Sequence, residues 1–437
     1  MTFYVSATPY SVYFYEICKM FMLVDCNNFY ASCHRVFEPS LTEVPIVVLS
    51  NNDGCVVARS NQAKDLGIPM GAAAFKYNDL FIKNKVQVFS SNYQLYADLS
   101  NRVATILSEF SPDIEIYSID ESFLKLRGFD RFNLVEYGIK IKDKIWQYTH
   151  IPVCVGIAPT KALAKVANRI AKKFPSHHHG VFKIETDEQI VKALKWLDIE
   201  DVWGIGRQIS KRLRLIGVNK AFDFVKLSDE FIRSNFSIVE LRLKKELLGI
   251  SVLDLGEIQT KKSIATTRSF EITTASFDYL KERVSTFAVS SAEKLRKHHS
   301  NCNLVTVFVQ TNFFKKDFPQ YSRSITLKIP FETQSSITIS KYATLALNQI
   351  FKEGYQYKRA GVIVSGILPE SQKQFSLFDF ENPKHIALMR SMDSINSKFG
   401  SATSKLASQD LKRTWKMKQE RLSPCYTTKW NDLLKVD

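Results

Sequence analysis

Two adjacent carboxylates, Asp120 and Glu121, lie at the centre of an alternating apolar stretch at residues 114–126. Alternation of this kind predicts a pair of strands, and an acid inside such a stretch is costly unless it has a partner. Because neighbouring side chains on a regular strand point to opposite faces, the two acids can face one ligand only across a turn or bulge. Ser118 and Ser122 favour a tight hairpin tip at this point.

A third acid, Asp25, ends the short apolar run at residues 21–24. This pattern is typical of a buried central strand that places one acid at the edge of a sheet. Three carboxylates on adjacent strands make a cage for two hard divalent cations that also bind phosphate oxygens, the arrangement used for in-line phosphoryl transfer. Three unrelated buried acids in structural ion pairs are the alternative that this spacing leaves open.

Composition restricts the class of protein. The 437 residues include 60 Lys and Arg against 44 Asp and Glu, a net charge of +16, which favours a polyanionic partner, nucleic acid ahead of an anionic membrane. No apolar run approaches the ~20 residues that span a bilayer. The 7 cysteines form no Cys-x-x-Cys pair, which favours reduced thiols in the cytosol over a zinc site.

The first 19 residues are rich in aromatic side chains and lack the basic start and small-residue cleavage site of a secretory signal. Met20 opens the first predicted strand. The preceding residues are either a short extension of the protein, or translation starts at Met20.

The stretch at residues 160–173 predicts a helix with a basic face. At ~100° per residue, Lys161, Lys165, Arg169 and Lys172 fall within an arc of about 80°, opposite an apolar face. A basic stripe is usually a solvated surface. Because no acid interrupts residues 161–183, we expect this stripe to contact phosphate.

A glycine-rich turn follows at Gly204 and Gly206, with Lys211 and Arg212 shortly after it. The pattern is similar to a helix-hairpin-helix, in which glycines let the backbone N–H groups of a helix start approach a DNA phosphate. We expect this segment to contact DNA without regard to base sequence.

Five motifs occur in order along the chain: VDCNNFYASC at residues 24–33, SNNDGCVVAR at 50–59, SSNYQLYAD at 90–98, YSIDESF at 117–123 and DVWGIG at 201–206. Together they resemble the Y-family translesion DNA polymerases, and within that family the bacterial polymerase V (UmuC) type. The resemblance runs from Met20 almost to the C-terminus.

This resemblance implies an α+β multidomain fold of the right-hand-like polymerase kind. The expected parts are a palm at residues 20–28 and 95–184, an inserted fingers domain at 29–94, a helical thumb with the helix-hairpin-helix at 185–250, an α+β little finger at 251–368 and a C-terminal extension at 369–437.

The resemblance also implies site residues. Asp25, Asp120 and Glu121 become the catalytic acids that bind two Mg²⁺ ions. Tyr30 matches the steric gate that leaves no room for a ribose 2′-OH, although from the sequence alone it could equally be a core aromatic on the first turn of a helix.

Two lysines, Lys64 and Lys172, fall where the family places residues that bind the incoming triphosphate. Asn61 departs from the tyrosine that many members have nearby, so we do not carry that contact over. Beyond Lys172, the basic stripe provides Lys161 and Lys165 as expected DNA contacts.

The polar segment after Pro369 contains an apolar island of three residues, Phe375, Leu377 and Phe378. With Gln374, this island resembles the short peptide by which bacterial polymerases bind the sliding clamp. Residues 422–434 resemble a C-terminal extension of the polymerase V type that the shorter polymerase IV type lacks. The whole tail at residues 382–437 is basic and partly apolar, which suits a protein partner or DNA.

The predicted function is error-prone, template-directed DNA synthesis past lesions in the SOS response to DNA damage. The implied partners are primer-template DNA, dNTP, the sliding clamp, a UmuD-type accessory subunit and a RecA filament, with no membrane. We expect a cytoplasmic bacterial protein that joins the nucleoid when active. A non-catalytic DNA-binding scaffold and a two-metal nuclease are the rival interpretations, but a scaffold has no need of the three acids, and a nuclease has no use for Tyr30 or Lys172.

Overall fold

A computed structural model describes residues 20–256, 261–372, 381–411 and 417–434. The chain forms two compact units, Met1–Glu257 with Lys418–Asp437, and Ile258–Met417. Within the described ranges, no helix combines the length and the apolar character that crossing a membrane requires. Helices and sheets are mixed in both units, which confirms the predicted α+β fold class.

The strands described in the first unit are β1 (Met20–Cys26), β2 (Ile46–Leu49), β3 (Val56–Arg59), β4 (Gln87–Ser90), β5 (Ile114–Ile116), β6 (Glu121–Leu126), β7 (Val153–Ala158) and β8 (Val181–Lys183). The larger sheet has the order β5-β6-β1-β7-β8, and a smaller sheet has the order β3-β2-β4. Strand β1 is antiparallel to both of its neighbours, β6 and β7.

The α-helices described in the first unit are α1 (Phe29–Phe37), α2 (Asn61–Asp65), α3 (Asn78–Lys83), α4 (Tyr93–Ser108), α5 (Leu134–Thr149), α6 (Lys161–Lys173), α7 (Pro175–His178), α8 (Asp187–Trp196), α9 (Arg207–Leu215), α10 (Ala221–Val225), α11 (Asp229–Asn235) and α12 (Ile238–Leu247). Helix α6 begins where the sequence predicts, because the Thr160 hydroxyl accepts a hydrogen bond from the backbone N–H of Leu163.

The central strand β1 is apolar on both faces, and each face packs into a different core. Met22 and Val24 belong to a core with α1, α4 and α5, whereas Phe21 and Leu23 belong to a core with α6 and the helices after it. Burial on both faces explains the continuous apolar run in the sequence. The small sheet has a core of its own, which includes Ile68 and Phe81.

Helix α6 lies unusually close to the sheet at Gly156 of β7. A Cβ atom built on Gly156 would lie 2.2 Å from both the carbonyl oxygen of Ala164 and the backbone nitrogen of Asn168. Only glycine therefore permits this approach. The short distance brings the lysines of α6 within reach of the acids on β1 and β6.

The second unit contains β9 (Ser263–Thr274), α13 (Phe277–Lys297), β10 (Ser300–Thr311), β11 (Ser322–Thr333), α14 (Ser336–Ile350), β12 (Tyr357–Ser365), β13 (Leu368–Pro369) and α15 (Lys384–Phe399) among its described residues. The main path of the sheet is β11-β10-β12-β9. Helices α13 and α14 pack together with the sheet around a core that includes Phe287, Val307 and Tyr357.

The C-terminal region is divided between the two units. The described residues 381–411, with α15, belong to the second unit, where Asp393 forms a two-oxygen ion pair with Arg296 and Asp410 pairs with the buried Arg283. Residues 418–434 belong to the first unit.

Candidate active site

The register of the central strands brings two of the predicted acids together. Asp25 on β1 lies directly opposite Glu121 at the start of β6. The third acid, Asp120, immediately precedes β6, and its carbonyl oxygen accepts a hydrogen bond of 2.8 Å from the backbone N–H of Cys26. All three predicted acids therefore lie at one end of the β1–β6 strand pair.

The turn that the sequence requires between the adjacent acids is formed by the loop from Tyr117 to Asp120. Ser118 donates a hydrogen bond of 2.6 Å to Oδ1 of Asp120, and its hydroxyl oxygen accepts one of 3.1 Å from the N–H of Glu121. This loop places Asp120 outside the regular strand. Its side chain therefore need not point to the face opposite that of Glu121, as it would on a regular strand. Ser122, by contrast, is a buried residue of β6.

Two lysines of α6 form ion pairs with two of these acids. Lys172 Nζ lies 2.6 Å from Oδ1 of Asp25, and Lys165 Nζ lies 2.8 and 2.9 Å from the two carboxylate oxygens of Glu121. The two lysines are seven positions apart, about two helical turns, which places both on the same face of the helix. The two acids are thus each neutralised by one cation.

The Asp25 carboxyl is largely buried, and burial raises its pKa from 3.8 to about 6 even though Lys172 acts in the opposite direction. The charges of Glu121 and Asp120 act in the same direction as burial. Mutual repulsion of three acids in a partly dry site is relieved by a nearby cation. The site is therefore built to hold positive charge.

The donor chemistry of this site fits Mg²⁺, which prefers carboxylate oxygens. Within the described ranges, no three Asp, Glu, His or Cys side chains are already arranged to hold a metal ion. The ammonium groups of Lys165 and Lys172 instead lie against the oxygens of Glu121 and Asp25. The oxygens of both acids are therefore already bound by a positively charged group.

The other two cations of the basic stripe also form ion pairs. Lys161 is buried and lies 2.6 Å from Glu115, and Arg169 pairs with Asp201. The sequence reasoning missed these acids because they come from other parts of the chain. The structure gives no support to the predicted DNA contact of Lys161, because its ammonium group is buried and already paired.

Lys165 is also surrounded by aromatic rings. Its Nζ lies 4.7 Å from the ring centre of Tyr117 and 5.4 Å from that of Trp203. The indole N–H of Trp203 donates a hydrogen bond of 3.1 Å to the Tyr117 hydroxyl. Cation–π attraction and the bond to Glu121 together hold the lysine in place, which makes Lys165 less available to DNA than a solvated lysine.

A cavity of about 260 Å³ adjoins the acids. The residues with charged or polar side chains that line it are Asp25, Glu121, Lys165, Asn168, Arg169, Lys172, Asp201 and Trp203. Both cations and carboxylates line this space, which suits a ligand that carries both phosphate and metal ions.

The chain is similar to known proteins over most of its length. Residues 24–169 match the impB/mucB/samB family, and residues 261–377 match the C-terminal domain of that family. The protein UmuC of Salmonella typhimurium is 41% identical over 421 residues, which cover 95% of this chain and 100% of the relative. The protein ImpB of the same organism is 40% identical over 420 residues, which cover 95% of this chain and 99% of the relative.

The chain belongs to the UmuC type of the Y-family DNA polymerases. As a member, it is a DNA-directed DNA polymerase.

Solved structures give the same fold. A chimera of the Y-family polymerases Dbh and Dpo4 superposes with a TM-score of 0.65 at 23% identity, over 80% of this chain and 99% of the other. The insertion ternary complex of Dbh DNA polymerase has a TM-score of 0.53 at 22% identity with the same coverage. A third sequence model, a domain of unknown function, matches residues 387–436 of this Y-family polymerase.

In this Y-family polymerase the predicted gate residue, Tyr30, lies in the first turn of α1 and is half-buried. Its ring stacks on that of Tyr96 at 4.2 Å between centres and meets the edge of Tyr93 at 6.2 Å. Burial raises the pKa of Tyr30, and the nearby Tyr93 and Asp120 add to this. Tyr30 therefore packs as a core aromatic while lying near the acids.

The predicted triphosphate contact Lys64 lies on α2. Its Nζ donates hydrogen bonds of 2.6 Å to Oδ1 of Asn28 and 3.1 Å to Oδ1 of Asn61. Desolvation lowers the pKa of Lys64, and the charges of Arg59 and Lys172 lower it further. Asn61, which departs from the family tyrosine, thus holds the lysine that faces the site.

The glycine turn of this polymerase precedes α9. Gly204 has a φ of 90°, in the left-handed region that favours glycine, and Gly206 is the N-cap of the helix. Gly206 and Lys211 line a cavity of about 600 Å³, together with the cation Arg214. These residues share one surface, as a phosphate contact would require.

Arg212 is directed elsewhere. Its guanidinium donates a hydrogen bond to the carbonyl oxygen of Asn235 and lies 4.7 Å from the ring centre of Phe236. Arg212 thus packs against Phe236 while it stays exposed, and its DNA contact remains a prediction. The clamp-binding residues of the sequence prediction, Gln374, Phe375, Leu377 and Phe378, lie outside the described residues.

Proposed function

We propose that this Y-family polymerase carries out error-prone, template-directed DNA synthesis across lesions during the SOS response. It would transfer a nucleotide from dNTP to a primer 3′-OH at the site of Asp25, Asp120 and Glu121. The observation that carries this proposal is the β1–β6 register, which sets Asp25 opposite Glu121 beside the turn that presents Asp120.

The three acids would bind two Mg²⁺ ions. When bound, these ions lower the pKa of the primer hydroxyl and neutralise charge on the triphosphate and on the leaving pyrophosphate. Asp25 would exchange the ammonium group of Lys172 for an ion, whereas Lys165 would stay beside Glu121. Each of these two acids would then still have a cationic partner.

Lys172 would then be free to contact the triphosphate. Its side chain is 36% exposed and already lines the cavity. It can therefore turn from Asp25 towards a phosphate in that cavity. Lys64, held by Asn28 and Asn61, would contact the same phosphates from the other side. Lys165 is 14% exposed and would remain beside Glu121 as a positioning residue.

Tyr30 would contact the sugar of the incoming nucleotide. Its ring is fixed by Tyr96 and Tyr93, so it cannot move aside when a ribonucleotide enters. A rigid ring excludes an extra hydroxyl by steric clash. Such a clash discriminates between the two sugars more strongly than a weak attraction to the correct sugar.

Primer-template DNA is the proposed macromolecular substrate, and the surface of Gly206 and Lys211 would contact its backbone. The insertion ternary complex solved for Dbh DNA polymerase supports such a complex. The UmuC relatives support a UmuD-type accessory subunit. We include the sliding clamp and a RecA filament among the proposed partners, on the sequence resemblance alone.

The decisive experiment compares Asp120→Asn with Asp113→Asn, an exposed acid near the same hairpin. Bound metal ions supply several kcal/mol of charge stabilisation, so Asp120→Asn should lower Mg²⁺-dependent primer extension by at least about hundredfold. Asp113→Asn should extend like wild type, and both variants should bind primer-template DNA.

Primer extension by Asp120→Asn at near the wild-type rate would show that Asp120 is not one of the catalytic acids. The same assay addresses the rivals, because a nuclease would shorten the primer in the presence of Mg²⁺ and a scaffold would leave its length unchanged.

A further inference from the structure

The end of the chain forms an extended segment on the first unit, which we call the C-terminal strap (residues 418–434). It begins on the loop between β2 and β3. The backbone N–H of Lys418 donates to Oδ1 of Asn52 at 3.1 Å, and that of Glu420 donates to Oδ2 of Asp53 at 2.9 Å. Both loop residues have positive φ values, 61° and 50°. Two side chains thus fasten the beginning of the strap.

The middle of the strap binds the connection between β4 and α4. Ser90 and Arg421 exchange two hydrogen bonds, one of 2.9 Å between backbone atoms and one of 3.0 Å to the serine hydroxyl. The side-chain amide of Asn92 donates to the carbonyl oxygens of Ser423 and Pro424, each at 3.2 Å. The same side chain accepts a bond from the N–H of Leu95 and so caps α4. One residue therefore joins the strap to the start of α4.

The far part of the strap is anchored by Tyr426. Its ring stacks on Phe37, the last residue of α1, with centres 4.6 Å apart and planes 13° apart. Its hydroxyl donates a hydrogen bond of 2.8 Å to Glu38. Tyr426 is 7% exposed and belongs to the same core as α1 and α4. The strap is thus part of the folded core at this point.

The two helices that the strap joins carry the aromatic residues around the proposed gate. Tyr30 is on α1, and Tyr93 and Tyr96 are on α4. A further bond of 2.8 Å joins His34 of α1 to the Tyr96 hydroxyl. The strap holds the end of α1 about 10 Å from Tyr30, at ~1.5 Å per residue, and holds α4 directly beside Tyr93.

We propose that the C-terminal strap is a positioning element for sugar selection. By fixing the end of α1 against the start of α4, it sets how closely Tyr30 packs on Tyr96, and so how strictly the site excludes a 2′-OH. This inference rests on the proposed gate function of Tyr30. It gives a role to part of the region that matches a domain of unknown function.

Two variants would detach the strap at different points. Tyr426→Ala removes the stack on Phe37 and the bond to Glu38. Asn92→Asp keeps the oxygen that caps α4 but replaces the donor to Ser423 and Pro424 with an acceptor, which repels their carbonyl oxygens. Matched controls are Tyr426→Phe, which keeps the ring, and Trp430→Ala, at a strap residue that is 86% exposed.

The measurement is the ratio of kcat/KM for dTTP to that for UTP in primer extension by the full-length protein. Tyr426→Ala and Asn92→Asp should lower this ratio by about three- to tenfold, the range expected of a change that acts through intervening packing. Extension with dTTP should stay close to wild type. Tyr426→Phe and Trp430→Ala should leave the ratio unchanged. Hydrogen exchange should show faster exchange in the strap for the two detaching variants.

The double variant Tyr30→Ala with Tyr426→Ala tests the route of the effect. If the strap acts through the gate, the double variant should discriminate no worse than Tyr30→Ala alone. An additive loss would overturn the proposal, as would unchanged discrimination in variants whose strap exchanges faster. If Tyr30→Ala alone leaves discrimination unchanged, Tyr30 is not the gate. That result rejects the proposed gate without any measurement on the strap.

Discussion

The ring of Tyr30 lies nearly parallel to that of Tyr96, with centres 4.2 Å apart and planes 13° apart. Offset or parallel stacking of this kind adds to the stability that burial provides. Tyr96 is fully buried and bonded through its hydroxyl to His34, which is also fully buried. Tyr30 therefore rests on a fixed support, and its free face has a defined position near Asp120.

Tyr30→Ala should admit ribonucleotides with a modest loss of deoxynucleotide use. Overpacking a fitted site costs ~1–3 kcal/mol, so removal of the ring should lower discrimination against UTP by about ten- to hundredfold. Single-nucleotide extension with dTTP and UTP measures this ratio. Tyr30→Phe keeps the ring and should behave like wild type. Unchanged discrimination in Tyr30→Ala would leave Tyr30 with the role of a core aromatic alone.

Gly156→Ala should destabilise the first unit strongly. The added methyl group would lie 2.2 Å from two backbone atoms of α6, and backbone cannot move aside as a flexible side chain can. We expect a loss of at least about 3 kcal/mol in the free energy of unfolding, measured by urea denaturation. Gly206→Ala is the control, because its methyl group meets no atom within 4 Å and its φ is −78°. Equal stability of the two variants would contradict the close approach of α6.

The buried His34 should make stability depend on pH. Burial lowers its pKa from 6.5 to about 3, and its ring stacks on Phe89 at 3.8 Å. The folded state keeps the imidazole neutral, whereas the unfolded state binds a proton below pH 6.5. The contribution of neutral His34 to the free energy of unfolding is therefore fully present above pH 6.5 and is lost as the pH falls towards 3.

Over this window the free energy of unfolding should fall by up to ~1.4 kcal/mol per pH unit through His34. Urea denaturation of wild type and His34→Gln at pH 7.5 and pH 5 measures the contribution. His34→Gln should be less stable at pH 7.5 but should lose less on acidification. His177→Gln, at an exposed histidine, is the control. Identical pH dependence of wild type and His34→Gln would contradict this prediction, because it would mean that His34 has the same pKa in the folded and unfolded states.

Local sequence pattern predicted the elements that carry the acids. The apolar run before Asp25 is the buried strand β1, and the alternating stretch is the hairpin of β5 and β6, with the expected turn before Glu121. These elements depend on neighbours within a few residues, so periodicity and turn residues specify them. The predicted helix of the basic stripe is also present as α6.

Partners from distant parts of the chain were not predictable in this way. The sequence favoured phosphate contact for the basic stripe, yet Lys161 pairs with Glu115 and Arg169 pairs with Asp201. These acids come close only after β5 and the helical segment fold around α6. Similarly, nothing local indicates that Tyr426 packs on Phe37, far away in the sequence.

Two helices of the second unit begin at a local sequence signal. Helices α13 and α14 begin at Phe277 and Ser336. In each case a serine immediately before the helix caps it, since its hydroxyl accepts a bond from the N–H group three residues later. A serine cap lies within one turn of the residue that it binds, so the sequence carries this signal directly.

The apolar island of the C-terminal extension leads to the last prediction. Phe375, Leu377 and Phe378 lie in polar sequence with too few apolar neighbours to form a core of their own, so their burial would come from a partner. Burying such side chains is worth about 1.5–3 kcal/mol each, enough for a short peptide to bind specifically once the cost of ordering it is met.

The double variant Leu377→Ala with Phe378→Ala should therefore lose stimulation by the sliding clamp while keeping its chemistry at Asp25, Asp120 and Glu121. The assay compares extension on primed circular DNA with and without clamp, and extension on a short linear template reports the chemistry alone. Alanine at the polar residues 371 and 372, just before the island, is the matched control and should leave stimulation intact. Because loss of two buried side chains removes most of the expected binding energy, the double variant should respond to the clamp no more than a protein without the peptide. Full stimulation of the double variant would show that another segment contacts the clamp.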